Sequence, residues 1–103
     1  MLSLPLIVLT LGLFLLVVNA GTTDKDWEWI NSHKGDHDVS LSNASADYCQ
    51  IAIQGPKSTE ILQGMTETDL GSIKYYWFTE GKVDGVDAII SRTGYTGEDG
   101  FEV

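Results

Sequence analysis

The first eighteen residues are almost wholly apolar, broken only by Ser3, Pro5, Thr10 and Gly12. A run of this kind fits the core of a secretory signal peptide, with the small-residue site Val18-Asn19-Ala20 before Gly21. It lacks the Lys or Arg that such a peptide carries near its start. As a membrane-spanning helix it is borderline, since about 20 apolar residues are needed, and Pro5 lies near one end. Beyond it the pattern shortens. Residues 16–20 read as a strand that ends at Gly21-Thr22-Thr23. Thr23 with Asp26 resembles a capping box and opens a helix over 24–33, closed by Lys34-Gly35. Trp27 and Ile30 share a face of that helix, whereas Trp29 lies elsewhere on the wheel and must meet a second neighbour or face water. Weak alternation through Val39 and Leu41 predicts a short strand over 36–43, and stronger alternation predicts one over 48–54.

Gly55-Pro56 turns into a second short helix, with Pro56 at its first position, Ile61, Leu62 and Met65 as its apolar face, and Gly64 as its C-cap. After a connector over 66–71, the aromatic run Tyr75, Tyr76, Trp77, Phe78 predicts a strand over 73–79. Glu80-Gly81 and Asp84-Gly85 are turn signals, and 86–92 is the next strand. Strands and helices mix without regular βαβ alternation. The fold class is therefore α+β, with mixed or antiparallel strands and two short helices.

The chain ends on Arg92-Thr93-Gly94-Tyr95-Thr96-Gly97-Glu98-Asp99-Gly100-Phe101-Glu102-Val103. Its glycines at 94, 97 and 100 predict a tight, shaped loop that re-enters a strand at Phe101. Phe101 and Glu102 then point to opposite faces. A carboxylate beside such a loop can accept hydrogen bonds from the amine and ring N–H edge of a heterocycle. The same residues also suit a plain hairpin loop with solvated acids. A phosphate cradle is excluded, because no Lys follows the glycines and Glu98, Asp99 and Glu102 would repel the anion.

Composition narrows the partners. The 103 residues carry a formal net charge of -9, which argues against nucleic acid and against an anionic membrane surface. The lone Cys49 forms no internal disulfide and sits in a strand-like alternation, where a buried structural thiol is expected. His33, His37 and Cys49 are the one candidate zinc set. Gly35 breaks the shared helix face and a fourth ligand is missing, so no metal is expected. Asn43-Ala44-Ser45 is a glycosylation sequon, meaningful only for an exported chain.

The terminal motif resembles the signature of the glycine cleavage system T protein, an aminomethyltransferase that uses tetrahydrofolate. Val17-Val18-Asn19-Ala20 followed by Asp24-Lys25-Asp26, and Ile51-Ala52-Ile53-Gln54-Gly55-Pro56, agree with the same family in order and spacing. Related folate-dependent demethylases resemble the loop less closely, since they usually lack an acid where this chain has Asp99. The resemblance covers residues 16–103 and implies part of the folate-binding domain of that family. Residues 1–15 do not resemble it, and a third reading of the apolar run is a start foreign to the family fold. The resemblance implies that Glu102 is a folate or substrate contact, that Tyr95 walls the pterin pocket, and that Asn19 lies near the folate. Arg92 reads as structural, pairing with a loop acid, and Glu98 and Asp99 as holding the loop. Tetrahydrofolate would be the one-carbon acceptor, and the lipoyl carrier (H) protein the partner.

No catalytic residue is assigned within the chain, because the family's acidic strand and downstream arginine have no counterpart here. The chain is expected to be inactive alone. A cytoplasmic location, or the mitochondrial matrix in a eukaryote, follows from the resemblance. The rival readings are a non-catalytic folate-binding relative and a secreted or anchored acidic domain.

Overall fold

The computed structural model describes residues 2–8, 11–94 and 96–103 and divides into two compact units, residues 1–49 and 50–103. In the first, β1 (Leu2–Val8) and β2 (Leu11–Val17) form an antiparallel hairpin registered from Leu2↔Val17 to Val8↔Leu11. Residues 2–8 and 11–17 of the apolar run are thus strands, not one helix, and among the described residues no helix is long and apolar enough to cross a membrane. Both strands are edges, which is where a strand tolerates a proline such as Pro5. The strand expected over 16–20 ends earlier, at Val17. Asn19 is extended and leads into a 3-10 turn, Ala20–Thr22.

Helix α1 (Thr23–Ser32) follows, with Asp24 and Asp26 in its first turn, where the helix dipole favours anions. The expected capping box does not form: the N-cap is Thr22, and its side chain makes no hydrogen bond to the helix backbone. Thr22, not Thr23, donates its hydroxyl to Asp26 Oδ2 (3.0 Å), while the Thr23 hydroxyl turns back to the carbonyls of Asn19 and Ala20. No residue of α1 is buried. Trp29 takes the exposed alternative and stacks on His33, one turn on, with ring centroids 4.0 Å apart. Residues 36–43 form no strand. Their polar positions leave Val39 exposed, and a strand with nothing to bury its apolar face has little to hold it.

The second unit carries the core. Its sheet has strand order β3-β6-β5-β4, every pair antiparallel, built from β3 (Ala52–Gln54), β4 (Phe78–Val83), β5 (Val86–Ser91) and β6 (Gly100–Glu102). With α1 and α2 (Ser58–Gln63) this is the expected α+β class. The strand expected over 48–54 is shorter, though mutual bonds between Ile51 and Val103 (2.8 and 2.9 Å) extend its pairing. Asp84 and Gly85 make the β4–β5 turn with φ of 51° and 79°. Both central residues being left-handed is the requirement of a type I′ hairpin.

Glu80-Gly81, the other turn signal, lies inside β4 instead. A side chain at Gly81 would run into the Thr68 hydroxyl, so this glycine marks a close approach, not a turn. The aromatic run begins its strand late, at Phe78. Tyr75, Tyr76 and Trp77 are exposed on a bend with Tyr76 at φ 65°, joined to Arg92 through Tyr76 N–H to Arg92 O and Arg92 N–H to Trp77 O (2.9 Å each). Aromatic residues favour strands because they pack on a half-buried pleat, and this bend offers none.

Leu62, Leu70, Ile73, Ile90 and Phe101 form the core, with Ile53, Val83, Ala88 and Val103 packed against it. Helix α2 starts at Ser58, two residues beyond Pro56. It turns Leu62 and Ser58 inward and leaves Ile61 and Met65 outside, so its apolar face is narrower than expected. Gly64 is its C-cap, in right-handed conformation. Gln63 seats Leu70: its amide donates to the carbonyls of Thr66 and Thr68, and its Oε1 accepts from Leu70 N–H (3.1 Å). Cys49, expected to be buried, is exposed, because the strand that would have covered it starts three residues later.

One buried hydroxyl, Ser91 Oγ, has no hydrogen-bond partner among the described residues. An unpaired buried polar group costs about 1–3 kcal/mol. Ser91→Ala should therefore leave the midpoint of chemical unfolding unchanged or raise it. Leu62→Ala should lower stability by about 2–5 kcal/mol, as for a fully buried leucine. A Ser91→Ala variant clearly less stable than wild type would mean that its hydroxyl is satisfied.

Candidate functional site

The loop between β5 and β6 is shaped by its own chemistry. Gly97 has φ 84°, the left-handed region that glycine tolerates. Gly94 and Gly100 serve a different purpose. A Cβ on Gly94 would meet the Glu98 carbonyl, and one on Gly100 the Gln54 side chain. The even spacing of three thus combines one turn requirement with two close backbone approaches.

Arg92 and Asp99 close the loop at its two ends. Arg92 Nε donates to Asp99 Oδ1 (3.1 Å) and its second terminal nitrogen to Oδ2 (2.8 Å), a bidentate pair. The remaining terminal nitrogen reaches the Ile73 carbonyl at 3.0 Å and the Leu70 carbonyl at 3.5 Å. The guanidinium also lies 5.6 Å from the Phe101 ring centroid. Asp99 has further partners: Oδ1 accepts from Gly100 N–H (3.1 Å) and Oδ2 from the Thr59 hydroxyl (3.3 Å). Its carbonyl accepts from Gly55 N–H (2.9 Å) and the Ser58 hydroxyl (3.1 Å). The hydrogen bond from Arg92 holds the Asp99 carboxyl below its ordinary value against the opposing effect of burial, and the charge of Arg92 adds to it. Arg92 and Asp99 are structural, as expected, and Glu98 is exposed.

Glu102 lies on the other face. Phe101 is fully buried in the core and Glu102 is half-buried opposite it. Its Oε2 accepts from the Thr93 hydroxyl, and its Oε1 from Gln50 Nε2 (2.9 Å). Strand register explains both. Ala52 and Ser91 stand directly across from Glu102 on its two sides. Gln50 and Thr93 are each two residues from those partners, on the same face, within diagonal reach. An ionised carboxylate has about four acceptor positions, of which hydrogen bonds from the described residues use two.

Neither Gln50 nor Thr93 was singled out from the sequence. The signal was there in the alternation that places 50 and 52 on one side, but the register against β6 was not. Of the other expected site residues, Asn19 is exposed between β2 and the 3-10 turn of the first unit, and Tyr95 lies outside the described residues. His33 is engaged with Trp29, its Nδ1 2.7 Å from the Trp29 carbonyl. Among the described residues no group of three or more His, Cys, Asp or Glu is placed to hold a metal ion. Two open surface concavities, of about 600 and 700 Å³, do not include Glu102.

An antiparallel α+β unit whose closing loop presents a braced carboxylate is the class that this geometry defines. The sequence profile of the GCVT N-terminal domain matches residues 6–103. Aminomethyltransferases are similar over most of the chain: that of Desulfitobacterium hafniense is 57% identical over 90 residues, 87% of this chain and 25% of the relative. That of Moorella thermoacetica is 55% identical over 92 residues, 89% of this chain and 25% of the relative. That of Thermoanaerobacter pseudethanolicus is 50% identical over 91 residues, 87% and 25% respectively. The chain belongs to the GCVT N-terminal domain family. It spans about a quarter of the length of the curated relatives it matches.

The Arg92–Asp99 pair sets a pH dependence. A carboxyl held below its unfolded value, ordinarily about 3.9, stabilises the fold above that value. The contribution fades as pH falls through the folded one. Asp99→Asn should be less stable than wild type at pH 7, and the gap should close as pH drops below about 4. Thermal unfolding across pH 2–7 would check this, and a gap constant with pH would remove the charge of Asp99 from the account.

Proposed function

We propose that this chain supplies one wall of the folate site of an aminomethyltransferase of the glycine cleavage system. Such an enzyme takes the aminomethyl group held on the lipoyl arm of the carrier (H) protein. It passes the one-carbon unit to tetrahydrofolate and releases ammonia. The observation that carries the reading is Glu102: a half-buried carboxylate at the end of a clamped loop, with both oxygens oriented and acceptor capacity to spare. The pterin amine and its neighbouring ring N–H present two donors side by side, which suits a carboxylate. Asn19 and Tyr95 are assigned to the same ligand on the resemblance of their motifs. A location in the cytoplasm, or in the mitochondrial matrix of a eukaryote, accords with this role.

The reading separates binding from turnover. Among the described residues, the side chains hydrogen-bonded to Glu102 are Gln50 and Thr93, neither of which carries a charge, so binding is the contribution assigned here. Titration of the chain with tetrahydrofolate under reducing conditions should show saturable binding, and Glu102→Ala should weaken it by about ten-fold or more. Supplied with aminomethyl-lipoyl carrier protein and tetrahydrofolate, the chain by itself should release no ammonia above the enzyme-free rate. Wild-type binding that survives Glu102→Ala unchanged would overturn the site. Ammonia release would overturn the restriction to binding.

A further inference from the structure

We propose that Thr93 and Gln50 are positioning residues that act on the ligand through Glu102; the inference rests on the folate reading of that carboxylate. A glutamate side chain has three rotatable torsions, and a half-buried one at a strand end has several accessible poses. Here the two carboxylate oxygens are tied to different elements. Thr93, a residue 8% exposed, donates its hydroxyl to Oε2 from the segment after β5. Gln50 Nε2 donates to Oε1 at 2.9 Å from the segment before β3. Glu102 sits between them on β6, the strand that joins the two.

Donors on both flanks fix the plane of the carboxylate as well as its location. A planar pair of ligand N–H groups is sensitive to that plane. Thr93 is itself held in place from either side. It follows Arg92, whose guanidinium is tied to Asp99 and to the Ile73 carbonyl, and it precedes Gly94, packed against the Glu98 carbonyl. The loop clamp and the ligand carboxylate thereby meet at one hydroxyl. Gln50 is exposed, so its hold is the weaker of the two.

A double-mutant cycle on the full chain tests this, read by tetrahydrofolate titration, with circular dichroism to verify folding. Thr93→Val removes the hydroxyl at nearly constant shape and should weaken binding by about ten-fold. Thr93→Ser keeps the hydroxyl and should bind as wild type. In the Glu102→Gln background, Thr93→Val should cost little more, because residues acting through one group are not additive.

Additive losses, or Thr93→Val binding as wild type while Glu102→Gln is weakened, would overturn the positioning role and leave the folate site standing. Glu102→Gln binding as wild type would overturn the folate site, and the positioning role with it. Should Thr93→Val fail to fold, Gln50→Leu in the same cycle decides. A loss of about three-fold that vanishes in the Glu102→Gln background supports the role. No loss overturns it.

Discussion

Arg92 and Asp99 sit seven residues apart and tie the end of β5 to the starts of α2 and β6. Through its guanidinium, Arg92 fastens the end of β5 to the carbonyls that follow the buried Leu70 and Ile73. Through its carboxylate and carbonyl, Asp99 reaches Gly55, Ser58, Thr59 and Gly100, which mark the start of α2 and the start of β6. Partly exposed ion pairs contribute about 0–1 kcal/mol, so this pair is not what drives the unit to fold. The five-residue core does that. The pair chooses a conformation. With Gly94 and Gly97 between its ends, the loop would otherwise have many.

A short β6 makes that choice consequential. The strand has three residues, and it bridges β3 to β5. Among the described residues, only the Ser91↔Glu102 pairing joins it to β5. Phe101 anchors it from the core side and Glu102 is gripped from the other. The residue with the most to offer a ligand is therefore part of the element that completes the sheet. A substitution at 102 therefore has to be judged on the proposed contact and on the architecture together.

Much of this was legible in the sequence where local chemistry decides. The Asp84-Gly85 hairpin, the first helix, the loop and its re-entry at Phe101, and the pairing of Arg92 with a loop acid all depend on residues close in sequence. Errors clustered where burial decides. Tyr75, Tyr76 and Trp77 have strand propensity but no surface to pack on, and residues 36–43 likewise. Gly81 looked like a turn because its real neighbour, Thr68, is thirteen residues away. Thr93 and Gln50 escaped notice for the same reason. Their relation to Glu102 exists only once β3, β6 and β5 are in register, and no spacing along the chain encodes that. The apolar run at the start shows the limit from another side. Its composition suits a helix or a leader, whereas the backbone of residues 2–8 and 11–17 pairs as a hairpin.

The braced Glu102 is the proposed docking point for the ligand's N–H edge. The most direct test is a nitrogen–proton correlation spectrum of the chain titrated with tetrahydrofolate. The account predicts that the largest shifts fall on the amides of Thr93, Gly94, Glu102 and Val103 and on the Gln50 side-chain amide, with the hairpin at Asp84-Gly85 unmoved. Shifts concentrated away from β6, or none at saturating ligand, would contradict it.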